Sequence, residues 1–182
     1  MGCGMINRNG FSLTELIVVI ALIAVLVSVA TLSFNDWTRK YGIEAQLKEM
    51  HADMTSIRLR AIQTKERHRV RLNPQDYAVA TLDAAGVATN QPGLGKTLRY
   101  RVQLFNAGAL SALNNTDIVF NERGYVDLSA TWDTDGDGIL DPDMALAIGI
   151  GEGDAAINCL LIQSSMVKMG RINATTNSCD LQ

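Results

Sequence analysis

The chain has 182 residues, 47% apolar and 19% charged, which suits one packed domain and excludes a disordered chain. Its net charge of −3 argues against nucleic-acid binding through bulk charge. Three Cys with no CxxC spacing argue against a disulfide scaffold and a structural zinc site, and two His leave little for His-based catalysis.

The first element is apolar. Residues 16–27 read LIVVIALIAVLV, and with Ser28, Thr31 and Ser33 the apolar stretch continues to Phe34. As a helix the segment from Leu16 to Phe34 spans about 28 Å, close to the hydrocarbon thickness of a bilayer. Arg8 on the N-terminal flank favours keeping that flank in the cytoplasm. A secretory signal peptide would need a shorter core and a small-x-small cut, and Val29-Ala30-Thr31 is a poor one. A plain membrane anchor fits the length but leaves Glu15 without a reason, because a carboxylate at the edge of a membrane helix is costly.

Gly10-Phe11-Ser12-Leu13-Thr14-Glu15, followed at once by the apolar run, resembles the N-terminus of type IV pilins and type II secretion pseudopilins. The resemblance implies cutting after Gly10 by a prepilin peptidase, methylation of the new N-terminal Phe11, and Glu15 retained within the membrane. The freed α-amino group is cationic near neutral pH. In a filament, Glu15 of one subunit can pair with the amine of a neighbour. A carboxylate left unpaired there would cost several kcal/mol in order of magnitude, so the pair specifies axial register more than it adds stability. Thr14 stands where the family usually carries a large aliphatic residue. Thr31-Leu32 stands where a Pro is common, so nothing forces a kink. MINRNG alone is a typical short basic leader, so Met5 is an alternative start; in either case Cys3 leaves with the leader. The implied partners are other pilin or pseudopilin subunits, the prepilin peptidase and the inner membrane. The implied location is a single inner-membrane pass with a periplasmic head, then a filament or the cell surface.

The helix should continue past Phe34. Ile43, Leu47, Met50, Met54, Ile57 and Ala61 recur in steps of four and three, and Arg39, Lys40, Glu44, Lys48, Glu49 and Asp53 occupy the opposite face. No Pro occurs before Pro74, and Gly42 is a weak point costing about 1 kcal/mol relative to Ala. This predicts one helix from about Ser12 to about Lys65, apolar all round in its first half and amphipathic in its second. A coiled coil is the bland alternative for the second half, and Met50 and Met54 read as core filler.

After Lys65 the pattern changes to short apolar runs broken by turn residues. The predicted strands are 68–72, 77–82, 98–105, 118–120, 125–128, 144–150, 159–163 and 166–172. Turns are expected at 83–86, 91–95, Gly124 and 149–153. The fold class is α+β, a long N-terminal helix packed on a C-terminal antiparallel β head. The divisions are a leader at 1–10, a transmembrane or filament-core helix at 11–34, its amphipathic continuation at 35–65, and the head at 66–182. Val119-Phe120, then Asn121-Glu122-Arg123-Gly124 and a second strand, resembles the FxxxG element of the GspH/FimT group of minor pilins and pseudopilins. Met169-Gly170-Arg171-Ile172 resembles that group's closing Gly-Arg strand.

Asp133-Thr134-Asp135-Gly136-Asp137-Gly138-Ile139-Leu140-Asp141 matches the first nine positions of a calcium loop. Asp133, Asp135 and Asp137 would surround one Ca²⁺, with the Ile139 carbonyl and Asp141 completing the set. The twelfth position is Met144, so Asp143 or a distant acid would have to replace the usual Glu. A solvated acidic turn is the alternative. The implied export places Cys159 and Cys179 in an oxidising compartment, where a bridge between them is expected and two buried thiols are the alternative. Arg58, Arg60, Lys65, Arg67, His68, Arg69 and Arg71 form a basic cluster at the helix–head junction. Without interleaved aromatics, a solvated face or a contact with acidic subunits outweighs DNA binding.

No GxSxG, P-loop or HExxH motif occurs, and no enzyme is expected. Three functions compete. The first is a structural and assembly role as a minor pilin or pseudopilin. The second is a tip-displayed binding pilin, either a calcium-dependent adhesin or a DNA-uptake subunit. The third is a calcium-stabilised periplasmic enzyme on a membrane tether.

Overall fold

The computed structural model describes residues 12–106, 109–113, 115–127, 146–151, 154–173, 175–176 and 178–181, with backbone alone at 29–33, 106 and 109–112. The chain divides into two compact units, Met1–Arg39 and Lys40–Gln182. One α-helix, α1 (Leu13–Thr64), crosses the division.

In the first unit Ser12 stands just before α1, and its carbonyl accepts from the Glu15 and Leu16 N–H groups at 3.1 and 3.2 Å. Glu15 lies in the first turn, at the positive end of the helix dipole. Every described side chain from Leu13 to Ser28 is exposed within this chain, so the apolar surface is left bare. Ser28 Oγ donates to the Ala24 carbonyl at 2.7 Å, which satisfies a hydroxyl in apolar surroundings without breaking the helix. Among the described residues no helix is long and apolar enough to cross a membrane. Residues 29–33, which extend the apolar run in the sequence, are described in backbone alone.

The second unit is built on the rest of α1. Ile43, Leu47, Met50, Met54, Ile57 and Ala61 are all buried, at 0–3% exposure, as their spacing requires. At about 1.5–3 kcal/mol for each large side chain, this stripe is the main hold of the helix on the head. The helix ends where Lys65 takes a left-handed conformation (φ 59°), the turn that usually falls to Gly after a helix.

Twelve strands are described after it: β1 (Arg67–Leu72), β2 (Asp76–Leu82), β3 (Ala88–Asn90), β4 (Lys96–Thr97), β5 (Gln103–Asn106), β6 (Ala109–Ala112), β7 (Thr116–Phe120), β8 (Val126–Asp127), β9 (Leu146–Gly149), β10 (Cys159–Ile162), β11 (Val167–Asn173) and β12 (Ser178–Leu181). They form two sheets. One has the order β3-β2-β1-β7-β8 with β4 also on β2, and the other has the order β12-β11-β10-β9-β5-β6. Every described pairing is antiparallel. The register sets Val70 opposite Val79 and Ile118, and Leu160 opposite Ile148 and Met169. The helix stripe and apolar residues of both sheets make one core. The observed fold is thus α+β, with the helix packed on an antiparallel head.

The strand expected at 98–105 begins only at Gln103. Leu98 and Val102 are buried as alternation requires, but their N–H groups go to loop carbonyls, Gln75 at 2.7 Å and Pro74 at 2.8 Å. Between them, Tyr100 N–H donates to Gln46 Oε1 and the Tyr100 carbonyl accepts from Gln46 Nε2, each at 2.8 Å. A helix side chain therefore substitutes for a neighbouring strand. The expected strand 125–128 is described as Val126–Asp127, and 144–150 as Leu146–Gly149; residues 128 and 144–145 lie outside the described residues. β3, β4, β6 and β12 have no counterpart among the sequence expectations. Gly42 is more than a weak point, because a Cβ there would run into the Tyr100 ring, with Cε2 at 3.0 Å.

Candidate functional site

Gly10 and Phe11, the expected cleavage pair, lie outside the described residues. Glu15 is exposed on the first turn of α1. The calcium-loop residues Asp133, Asp135, Asp137, Ile139 and Asp141 also lie outside the described residues. Among the described residues no three His, Cys, Asp or Glu side chains are grouped to hold a metal.

Cys159 and Cys179 are joined in a disulfide, with Cα atoms 5.9 Å apart. Cys159 opens β10 and is fully buried, whereas Cys179 lies on β12. Between those strands runs β11, where Gly170 pairs with Cys159 on one side and with Leu181 on the other. A Cβ on Gly170 would stand 3.0 Å from Cys179 Sγ and run into the Asp180 backbone, so the bridge requires this glycine. The next residue, Arg171, pairs with Asp154.

The Phe120–Gly124 segment is a tight reversal between β7 and β8. Phe120 is fully buried. Asn121 Oδ1 accepts from the N–H groups of Arg123 and Tyr125, both at 3.0 Å, and Gly124 N–H donates to the Asn121 carbonyl at 2.8 Å. Gly124 adopts φ +77° and lies against α1: an added Cβ would meet Ile62 Cδ1 at 2.6 Å and Arg58 Cγ at 3.3 Å. Arg58 Nε donates to the Gly124 carbonyl at 2.8 Å. The two ends of this short motif have different jobs: the Phe fills the core and the Gly docks the turn on the helix.

The basic cluster is largely used inside the head. Arg71 makes two 2.8 Å hydrogen bonds to Asp117, which hold its guanidinium pKa above the ordinary value. Arg69 also faces Asp117, at 3.7 Å, and Arg67 faces Asp127 at 3.6 Å. His68 is 1% exposed, with Nδ1 3.1 Å from the Glu66 carbonyl, so it belongs to the core rather than to a solvated face. Arg60 and Lys65 remain exposed.

Sequence reasoning missed a polar clamp between helix and sheet. Lys96 Nζ lies 2.7 Å from both Glu49 Oε1 and Asp53 Oδ2, and the Tyr77 hydroxyl donates to Asp53. Hydrogen bonding to Asp53, then to Glu49, raises the Lys96 pKa. Burial, then the bond to Asp53, pushes the Tyr77 hydroxyl far up. A signal was available: Glu49 and Asp53 are like charges four residues apart on a helix, a destabilising pair unless a cation comes between them. Glu44 is engaged too, accepting from the Ala156 N–H at 3.1 Å, and His51 Nε2 lies 3.0 Å from the Val167 carbonyl. Beside the clamp an open groove of about 480 Å³ is lined by Gly42, Gln46, Lys96, Arg99 and Tyr100 among others. Its walls hold one another: Lys96 is bound to two carboxylates, Gln46 to Tyr100, and Arg99 stacks 5.4 Å over the Tyr100 ring.

The family described as the prokaryotic N-terminal methylation motif matches residues 5–31. No curated protein and no solved structure gives a significant match. The chain therefore carries the signature of type IV pilin and pseudopilin precursors at its N-terminus. That signature goes with prepilin processing and assembly among pilin-type subunits, a structural rather than an enzymatic family.

Proposed function

We propose that this protein is a minor pilin or minor pseudopilin, a structural and assembly subunit of a type IV pilus or type II secretion filament. In this reading a prepilin peptidase cuts between Gly10 and Phe11, and the Phe11 amine is methylated. Residues 11–34 hold the subunit in the inner membrane with its head in the periplasm, until it is drawn into a filament. The observation that carries the reading is the methylation motif matched at residues 5–31, whose apolar run from Leu16 lies within α1. Glu15 would pair with the Phe11 amine of a neighbouring subunit and set the axial register.

Phe120–Gly124 and Gly170-Arg171 support placement in the GspH/FimT group, since both glycines are required by close packing rather than by local flexibility alone. A Ca²⁺ held by Asp133, Asp135, Asp137, the Ile139 carbonyl and Asp141 would stabilise the head. The DNA-uptake alternative is the weaker one, because Arg67, Arg69 and Arg71 are engaged by Asp117 and Asp127.

Intact-mass analysis after coexpression with a prepilin peptidase tests the reading. The expected mature species begins at methylated Phe11, and a bulky residue in place of Gly10 blocks its formation. A mature species that keeps residues before Phe11, or begins beyond Ala30, overturns it.

A further inference from the structure

The first unit carries an aromatic pair that the filament reading does not use. Phe34 and Trp37 are three residues apart on one face of α1, with ring centroids 6.0 Å apart and planes inclined by 35°. They are 62% and 55% exposed within this chain. No charged residue stands between Glu15 and Asp36, so Phe34 ends the apolar run and Trp37 stands among the first charges, Asp36 and Arg39. The axial distances fit a bilayer. Glu15 and Phe34 are separated by about 28 Å of helix, and Trp37 lies about 4.5 Å further out. An indole has an apolar body and one N–H donor, which suits the headgroup boundary better than either hydrocarbon or water.

We propose that Phe34 and Trp37 form an interfacial anchor at the periplasmic lipid–water boundary. The anchor fixes the depth of the helix and so holds Glu15 at the opposite boundary, where headgroups and water solvate its carboxylate before assembly. The inference rests on the inner-membrane insertion proposed above. A helix with a uniform apolar cylinder can slide along the bilayer normal at small cost per ångström. Two aromatic rings on one turn resist that sliding in both directions, since moving inward buries the indole N–H and moving outward exposes ring surface. The anchor would thus present Glu15 at a constant depth to an incoming subunit.

The test uses the full chain in phosphatidylcholine–phosphatidylglycerol vesicles, with lipids spin-labelled at shallow or deep positions. Trp132→Phe leaves Trp37 as the sole indole. The difference between wild type and Trp37→Phe supplies the same signal if Trp132→Phe disturbs the head. The expected result is a blue shift of Trp37 emission on reconstitution, with stronger quenching by the shallow label than by the deep one. Equal or stronger quenching by the deep label, or quenching by aqueous iodide alone, overturns the anchor. A second readout places a fluorophore at Val25→Cys, midway between Glu15 and Phe34. Its quenching should favour the deep label and lose that preference when Phe34 and Trp37 are both changed to Ala. An unchanged preference overturns the depth-fixing role. Failure of the wild-type protein to float with vesicles would instead overturn the membrane reading itself.

Discussion

Gly124→Ala isolates the contact that seats the head's tight turn on the helix. Two costs add. The residue sits at φ +77°, where an L side chain costs about 1–2 kcal/mol. The new Cβ would also stand 2.6 Å from Ile62 Cδ1 and 2.8 Å from Ile62 Cγ1. Ile62 is half-buried and its Cδ1 can swing away, so this second cost is about 1 kcal/mol, that of an off-rotamer side chain. The sum, about 2–3 kcal/mol, is therefore led by the backbone and not by the clash. Urea unfolding of a fragment beginning at Asp36 measures it, since Lys40–Gln182 closes its own core. Ile62→Ala alone should cost about 1–2 kcal/mol, and the double variant should fall short of the sum by about 1 kcal/mol, because only the clash is relieved. The reasoning fails if Gly124→Ala stays within about 0.5 kcal/mol of wild type, the range of an ordinary surface change. It fails also if the double variant recovers all of the loss, since Ile62 cannot relieve a backbone conformation.

Other outcomes follow from the clamp, the bridge and the acidic loop. Tyr77 and Lys96 both have pKa values raised above their ordinary 10.0 and 10.5, so each binds its proton more tightly folded than unfolded. Their contribution is complete below about pH 10 and is lost as pH rises through the folded values. The urea midpoint should therefore fall from pH 9 to pH 11, and less steeply in Tyr77→Phe; a flat profile would contradict the clamp. Buried Tyr77 should dominate, because Lys96 is 39% exposed and screened by solvent. Removing the Cys159–Cys179 bridge, which links residues 20 apart, should cost about 3 kcal/mol. Cys159→Ser should cost more than Cys179→Ser, since only the first leaves a hydroxyl in the core; equal losses would argue otherwise. For the proposed calcium loop, melting of the same fragment should rise with calcium and hardly with magnesium. At a dissociation constant of about 10⁻⁴ M, about 5 mM calcium adds about 2 kcal/mol. Asp135→Ala and Asp137→Ala should remove that gain, and a wild-type melting temperature indifferent to calcium would sink the site.

The sequence by itself determined what repeats and what is local. The helix was legible to within a residue at each end, because 3.6-residue periodicity and the absence of Pro act along the chain. The stripe from Ile43 to Ala61 named the buried face for the same reason. β1, β2, β7 and β11 were legible from short apolar runs or two-residue alternation. The Gly10–Glu15 motif pointed to processing, because a peptidase reads a linear segment. Tertiary structure decided the rest. β4 has two residues and β3 three, too few to show a period, and they are strands only because β2 offers partners. Leu98 to Val102 alternates like a strand yet is held by Gln46 and two loop carbonyls, since alternation reports which side is buried and not which group accepts the N–H. Glu44 and Asp53 looked like solvated charges until distant groups, the Ala156 N–H, Lys96 and Tyr77, came within reach. Gly42 and Gly170 are required by neighbours 58 and 9 positions away, counted to Tyr100 and Cys179. Such requirements are steric and exist only once the chain has closed on itself.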